Sequence, residues 1–129
     1  MGTLLSMRPS LAGSRVPYGV AVHLEPFREH PRFKKLLIEH CDVIVPMNAL
    51  KWASLRWERD RVNFTDADEI ISFAEQHYKR IHGHALLWYH ANPPWLDGIQ
   101  SERELERELK QHINTVVSRW GGWIATGDV

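Results

Sequence analysis

The sequence predicts an α/β fold in which short apolar strands alternate with amphipathic helices and pair in parallel. Three observations carry this. Four segments read as strands and three as helices, in strict strand–helix order along 129 residues. No Asn-Gly or Asp-Gly hairpin joins two of the strands. Strands separated by helices pair in parallel through right-handed crossovers.

Residues 18–24, YGVAVHL, are apolar and rich in β-branched side chains, which suits a strand. Residues 28–40 form a helix, with Pro31 in its first turn and Phe33, Leu36 and Leu37 on one face. Residues 41–47, CDVIVPM, are nearly all apolar, as in a strand covered on both faces. Cys41 is read as a small buried hydrophobe beside it. Residues 48–64 show no clean period and read as a long loop anchored by Trp52 and Trp57.

At Thr65 a second helix starts. Thr65 and Asp68 have capping-box spacing, and Ile70, Ile71, Phe73, Ala74, His77 and Tyr78 make an inward stripe. Residues 80–88 are a third strand and 91–100 a loop. Ser101 and Glu104 form a second capping box. Leu105, Leu109, Ile113, Val116, Val117 and Trp120 then recur at helical spacing. The run SERELERELKQ reads as a solvated charged face, and His77, His112 and Trp120 as lining the helix–sheet contact. Residues 121–129 open a fourth strand.

The long loops follow strands two and three, the ends at which barrel enzymes build their sites. A full (β/α)8 barrel takes roughly 250 residues. The fold expected is therefore the first half of a (β/α)8 TIM barrel, with about four parallel strands and three main helices. Residues 16–129 would form it, behind a loose leader, 1–15. That leader lacks the basic and apolar regions of a secretory signal, so localisation stays open.

Composition narrows the function. The 16 basic and 16 acidic side chains balance, which gives no electrostatic case for nucleic acid or an anionic membrane. No apolar run reaches the roughly 18–20 residues of a membrane helix. A single cysteine excludes an internal disulfide. No G-x-G-x-x-G follows the first strand, so no dinucleotide cofactor is expected.

Alternation along the third strand puts His82, His84, Leu86 and Trp88 on one face. If that face is the barrel lumen, His84 can hydrogen-bond a sugar hydroxyl and Trp88 can stack on a pyranose ring. Otherwise both are core residues. His82-x-His84 is also a chelating geometry, which makes a metal-dependent barrel hydrolase a weaker alternative. Asn48 and Lys51, just past the second strand, either clamp vicinal hydroxyls or serve as a cap and a solvated charge.

In order and spacing these segments resemble glycoside hydrolase family 10, the endo-1,4-β-xylanases. The family's second strand ends in Glu-Asn-x-Met-Lys-Trp; here it is Met47-Asn48-Ala49-Leu50-Lys51-Trp52. Its Phe-Asn-Phe-x-x-x-Asp is matched by Val62-Asn63-Phe64 and Asp68. Its third strand, Arg-Gly-His-Thr-Leu-Val-Trp-His before a Pro-x-Trp turn, is matched by His82 through Tyr89 and then Pro93-Pro94-Trp95. The resemblance implies a retaining hydrolase acting on β-1,4-xylan or xylo-oligosaccharides. Asn48 and Lys51 would contact the sugar on the non-reducing side of the scissile bond, and His84 and Trp88 would line the cleavage subsite. It implies no metal and no cofactor.

Two departures bear on that site. Met47 replaces a glutamate and so removes a hydroxyl acceptor, and Tyr89 replaces a histidine. The family's acid/base glutamate closes the strand-four motif Trp-Asp-Val-Val-Asn-Glu, of which only Gly127, Asp128 and Val129 have counterparts here. The nucleophile, a glutamate on strand seven, has none. The chain is thus expected to carry the substrate-binding wall without either catalytic glutamate, and to be inactive alone. A non-catalytic carbohydrate- or partner-binding remnant is the alternative. Open sheet edges would favour self-association or pairing with the missing half-barrel.

Overall fold

The computed structural model describes residues 16–128; the leader reading of residues 1–15 falls outside them. Four strands, β1 (Gly19–Val22), β2 (Val43–Pro46), β3 (Arg80–Gly83) and β4 (Ile124–Gly127), form one sheet in the order β1-β2-β3-β4. Every pairing is parallel. The β1–β2 register runs from Gly19 opposite Val43 to Val22 opposite Pro46. Helices connect them: α1 (Leu24–Glu29) and α2 (Pro31–His40), α3 (Trp52–Leu55) and α4 (Thr65–Gln76), and α5 (Glu102–Trp120). These βα units are the opening part of a (β/α)8 barrel. Among the described residues no helix is long and apolar enough to cross a membrane.

The core lies between the sheet and its helices. Val22, Ile44 and Ile81 from three strands meet Phe27, Ile70 and Trp120 from three helices, each 2% exposed or less. Phe27 meets Phe73 edge-on at 5.0 Å. Cys41 is buried as expected. Its thiol lies 2.9 Å from the Val43 carbonyl oxygen, and burial raises its pKa.

Several local expectations fail. The predicted 28–40 helix is broken at His30, which is extended ahead of Pro31, and its first residues belong to α1, which starts at Leu24 within the predicted strand. Part of the predicted 48–64 loop winds into α3 behind Lys51. On α2, Leu37 is buried and Leu36 exposed, so one predicted core position faces out.

The Thr65–Asp68 capping box does not form. Thr65 is already helical, and its amide donates to Asn63 Oδ1 at 3.0 Å. The Asp68 carboxylate instead accepts from Arg119 and from Trp120 Nε1, at 2.7 Å for the latter. The Arg119 guanidinium holds that carboxyl below its usual range. Tyr78 is 95% exposed because it takes φ 55° just past α4. There the Lys79 amide closes on the Ala74 carbonyl at 2.8 Å. A left-handed residue is common at a helix end, and here it turns the tyrosine ring away from the core.

The Ser101 cap does form, accepting from the Glu104 amide at 3.3 Å. The face of α5 is rotated from the predicted one. Glu108, His112, Val116 and Trp120 are buried, while Leu105 and Val117 are exposed. The solvated charged face is therefore interrupted at Glu108, and the reason lies in two distant arginines described below.

Candidate functional site

The four residues singled out in the sequence lie at the C-terminal ends of β2 and β3. Asn48 sits in the turn after β2, which closes through the Lys51 amide donating to the Asn48 carbonyl at 3.1 Å. Lys51 then stands as the N-cap residue of α3. β3 stops at Gly83, short of the predicted Trp88, and a register shift against β4 interrupts its ladder. The chain beyond it is tied by Leu86, whose amide donates to the Asp128 carbonyl at 3.1 Å. Trp88 precedes a single 3-10 turn, Tyr89–Ala91. The predicted alternation along residues 84–88 is therefore lost, and irregular chain presents His84 and Trp88.

The four side chains nonetheless form one connected string. Lys51 Nζ donates to Asn48 Oδ1 at 2.7 Å and lies 4.3 Å from the centre of the Trp88 ring. The Trp88 and His84 rings are 6.4 Å apart. The lysine stem is buried, whereas Trp88 keeps 41% of its surface exposed. An ammonium on one face of an electron-rich ring is favourable, and it leaves the lysine's other protons and the Asn48 amide free to donate. Asn48 Nδ2 also lies 3.5 Å from His23 Nδ1, which extends the string toward β1.

Asp128 was not among the predicted contacts. Its carboxylate takes His84 Nδ1 at 2.9 Å and His82 Nε2 at 3.2 Å. His82 Nδ1 lies 2.7 Å from Thr126 Oγ1. The two histidines share one acid. Their hydrogen bonds hold the Asp128 carboxyl below its usual range, His84 first. The His82–x–His84 spacing carried a signal for this pairing, but nothing local pointed to Asp128, which lies more than forty residues from both. Among the described residues no group of histidine, cysteine, aspartate or glutamate side chains is arranged to hold a metal ion.

A buried layer supports the string from below. Trp52, next to Lys51, stacks on His112 with ring centres 4.5 Å apart and planes 7° apart. Trp95 meets Trp52 edge-on at 5.9 Å and donates through Nε1 to the Arg56 carbonyl at 2.9 Å. Trp52 is thus the anchor expected of it, but Trp57 is 63% exposed and anchors nothing. Arg56 and Arg59 both reach the Glu108 carboxylate, at 3.1 and 2.7 Å.

Burial lowers the His112 pKa, the main effect, and the nearby Arg56 charge lowers it further. A lowered histidine pKa makes the unfolded state the better proton binder once pH drops below its unfolded value, about 6.5. Stability from this group is complete above that value and falls as pH is lowered through the folded pKa. Denaturant midpoints measured from pH 7.5 to 5 should fall in the acid range, at most about 1.4 kcal/mol per pH unit from this one proton. His112→Gln should flatten that part of the curve; an unchanged slope would remove His112 as its source.

The fold is that of a (β/α)8-barrel protein, with its candidate site at the strand ends where barrel enzymes carry theirs. The sequence matches the glycosyl hydrolase family 10 model over residues 6–129. It is 37% identical over 86 residues to endo-1,4-β-xylanase 3 of Hypocrea jecorina, covering 67% of this chain and 25% of that protein. The crystal structure of native xylanase 10B from Thermotoga maritima superposes with a TM-score of 0.78 at 31% identity, over 88% of this chain and 35% of that one. The xylanase 10B of Thermotoga petrophila, solved in complex with xylobiose, gives the same values. The chain belongs to glycosyl hydrolase family 10. It spans about a quarter to a third of the length of these relatives.

Proposed function

We propose that this chain forms the glycone-side wall of a β-1,4-xylan-binding cleft in a retaining endo-1,4-β-xylanase. The single observation that carries this is the string Asn48–Lys51–Trp88–His84 at the strand ends. The exposed Trp88 face would stack on a xylose ring, whose C–H groups suit an electron-rich surface. Asn48 and Lys51 would donate to adjacent hydroxyls. The carboxylate of Asp128 only accepts, so His84 donates to it through Nδ1 and turns its other ring nitrogen, Nε2, to a hydrogen-bonding role with a hydroxyl.

Retaining hydrolysis needs two carboxyl groups about 5–5.5 Å apart, one of them protonated. Asp128 does not suit the acid's role, because two imidazoles keep it ionised. The wall described here therefore binds and orients; it supplies neither proton donor nor nucleophile. The xylobiose complex of the Thermotoga petrophila relative supports xylo-oligosaccharides as the ligand class.

Titration with xylotetraose tests the reading. The chain should bind it without releasing shorter sugars. Trp88→Ala should weaken binding by about tenfold or more, as expected for a half-exposed tryptophan at the centre of a contact. No binding by the wild-type chain, or undiminished binding by the variant, would sink the proposal. Hydrolysis by the chain alone would overturn its non-catalytic half.

A further inference from the structure

Beneath the wall, one buried side chain touches both stretches of chain that carry it. His112 on α5 is 3% exposed. Its ring lies flat on Trp52, which directly follows Lys51. Its Nε2 is 2.9 Å from the carbonyl oxygen of Leu86, midway between His84 and Trp88. A carbonyl can only accept, so Nε2 carries the proton and donates. No hydrogen bond orients the Trp52 ring, because its indole Nε1 is buried without a partner. Its ring is set by packing alone, with His112 on its face and Trp95 against it edge-on.

We propose that His112 is a positioning residue for the sugar wall, fixing the distance between the Asn48–Lys51 turn and the His84–Trp88 segment by stacking on one and donating to the other. This rests on the reading of the wall given above. At the surface the two stretches meet through the Lys51–Trp88 contact, which joins a flexible stem to a half-exposed ring. Below they meet through His112, whose rotamer is locked by burial and by two partners. A binding constellation keeps its geometry only when such a supporting layer holds it.

The job needs a flat aromatic face and an edge donor in one side chain. Phenylalanine would keep the face and lose the donor, leaving the Leu86 carbonyl without its partner. Glutamine would keep a donor and lose the face. Neither substitution alters a group that would touch the sugar.

The test compares the wild-type chain with Trp88→Ala and His112→Phe, each checked for folding by thermal melts. Xylotetraose affinity and the Trp88 indole N–H resonance of the free protein are measured. His112→Phe should bind about two- to tenfold more weakly, the worth of one internal hydrogen bond, and the Trp88 resonance should move. Should His112→Phe fail to fold, His112→Gln, which loses the stacking face, should likewise weaken binding and move the Trp88 resonance. A lower melting temperature with unchanged affinity and an unmoved Trp88 resonance would make His112 merely structural and overturn the proposal. That result alongside weakened binding by Trp88→Ala rejects this inference alone. Undiminished binding by Trp88→Ala rejects the wall, and this inference with it.

Discussion

Glu108→Ala is expected to destabilise the chain by about 3–5 kcal/mol, the cost of removing one partner from a buried ion pair. Glu108 and Arg56 are 7% and 8% exposed, and Glu108 Oε2 receives Arg56 Nη1 at 3.1 Å. The other oxygen receives Arg59 twice, at 2.7 and 3.1 Å. Without the carboxylate, the Arg56 guanidinium stays desolvated with no counter-charge. The damage should spread, because the Arg56 carbonyl orients Trp95, and Trp95 braces Trp52. Urea unfolding of Glu108→Ala and Glu104→Ala side by side checks this. Glu104 meets only the more exposed Arg59, so its loss should matter far less. Equal midpoints for the two variants would mean that burial of the pair is not what counts.

Trp120→Ala is expected to cost a similar about 3–5 kcal/mol. The indole is 2% exposed at the end of α5 and meets Phe64 edge-on at 5.5 Å. Its Nε1 donates to Asp68 at 2.7 Å, so one side chain ties the last helix to the start of α4. Deleting it opens a cavity that the surrounding strands and helices cannot fill. Trp120→Phe separates the two contributions, since it restores most of the volume but not the donor. It should recover the larger part of the loss and leave about 1.5–3 kcal/mol, the worth of a hydrogen bond to a charged group. Asp68 keeps Arg119 as a partner, which should hold the remainder to the low end of that range. Thermal unfolding of both variants decides the matter; a Phe variant no better than Ala would make the hydrogen bond the main term.

Strands and helices were legible where a local pattern determined them. The apolar run Val43–Pro46 and the helical spacing from Leu105 to Trp120 required no knowledge of the rest of the chain. The rotation of the last helix was not legible. SERELERELKQ is charged at seven of its eleven positions, and nothing local distinguishes Glu108 from Glu106. Glu106 pairs with Lys110 on the surface, while Glu108 faces arginines 49 and 52 residues away. Asp68 was misread for the same reason, since its spacing from Thr65 suits a cap but its partners lie on α5. At the candidate site the opposite held. Asn48, Lys51, His84 and Trp88 were chosen for their chemistry and order, and the fold brings them into contact. Their support by His112 and the binding of His82 and His84 to Asp128 rest on pairings between distant segments. Only the folded chain displays those.

The sheet order has a consequence for how the chain acquires its shape. Among the described residues β2, β3 and β4 each pair with the strand made just before them, so each finds a partner already synthesised. β1 and β2 can register while β3 is being translated, and each completed strand offers its free edge as the template for the next. Domains commonly form from the N-terminus as synthesis proceeds, and this topology permits that strand by strand. The proposed sugar wall would be complete in outline once Trp88 has emerged. Its rigid backing comes only later, when α5 delivers His112, Glu108 and Trp120 together.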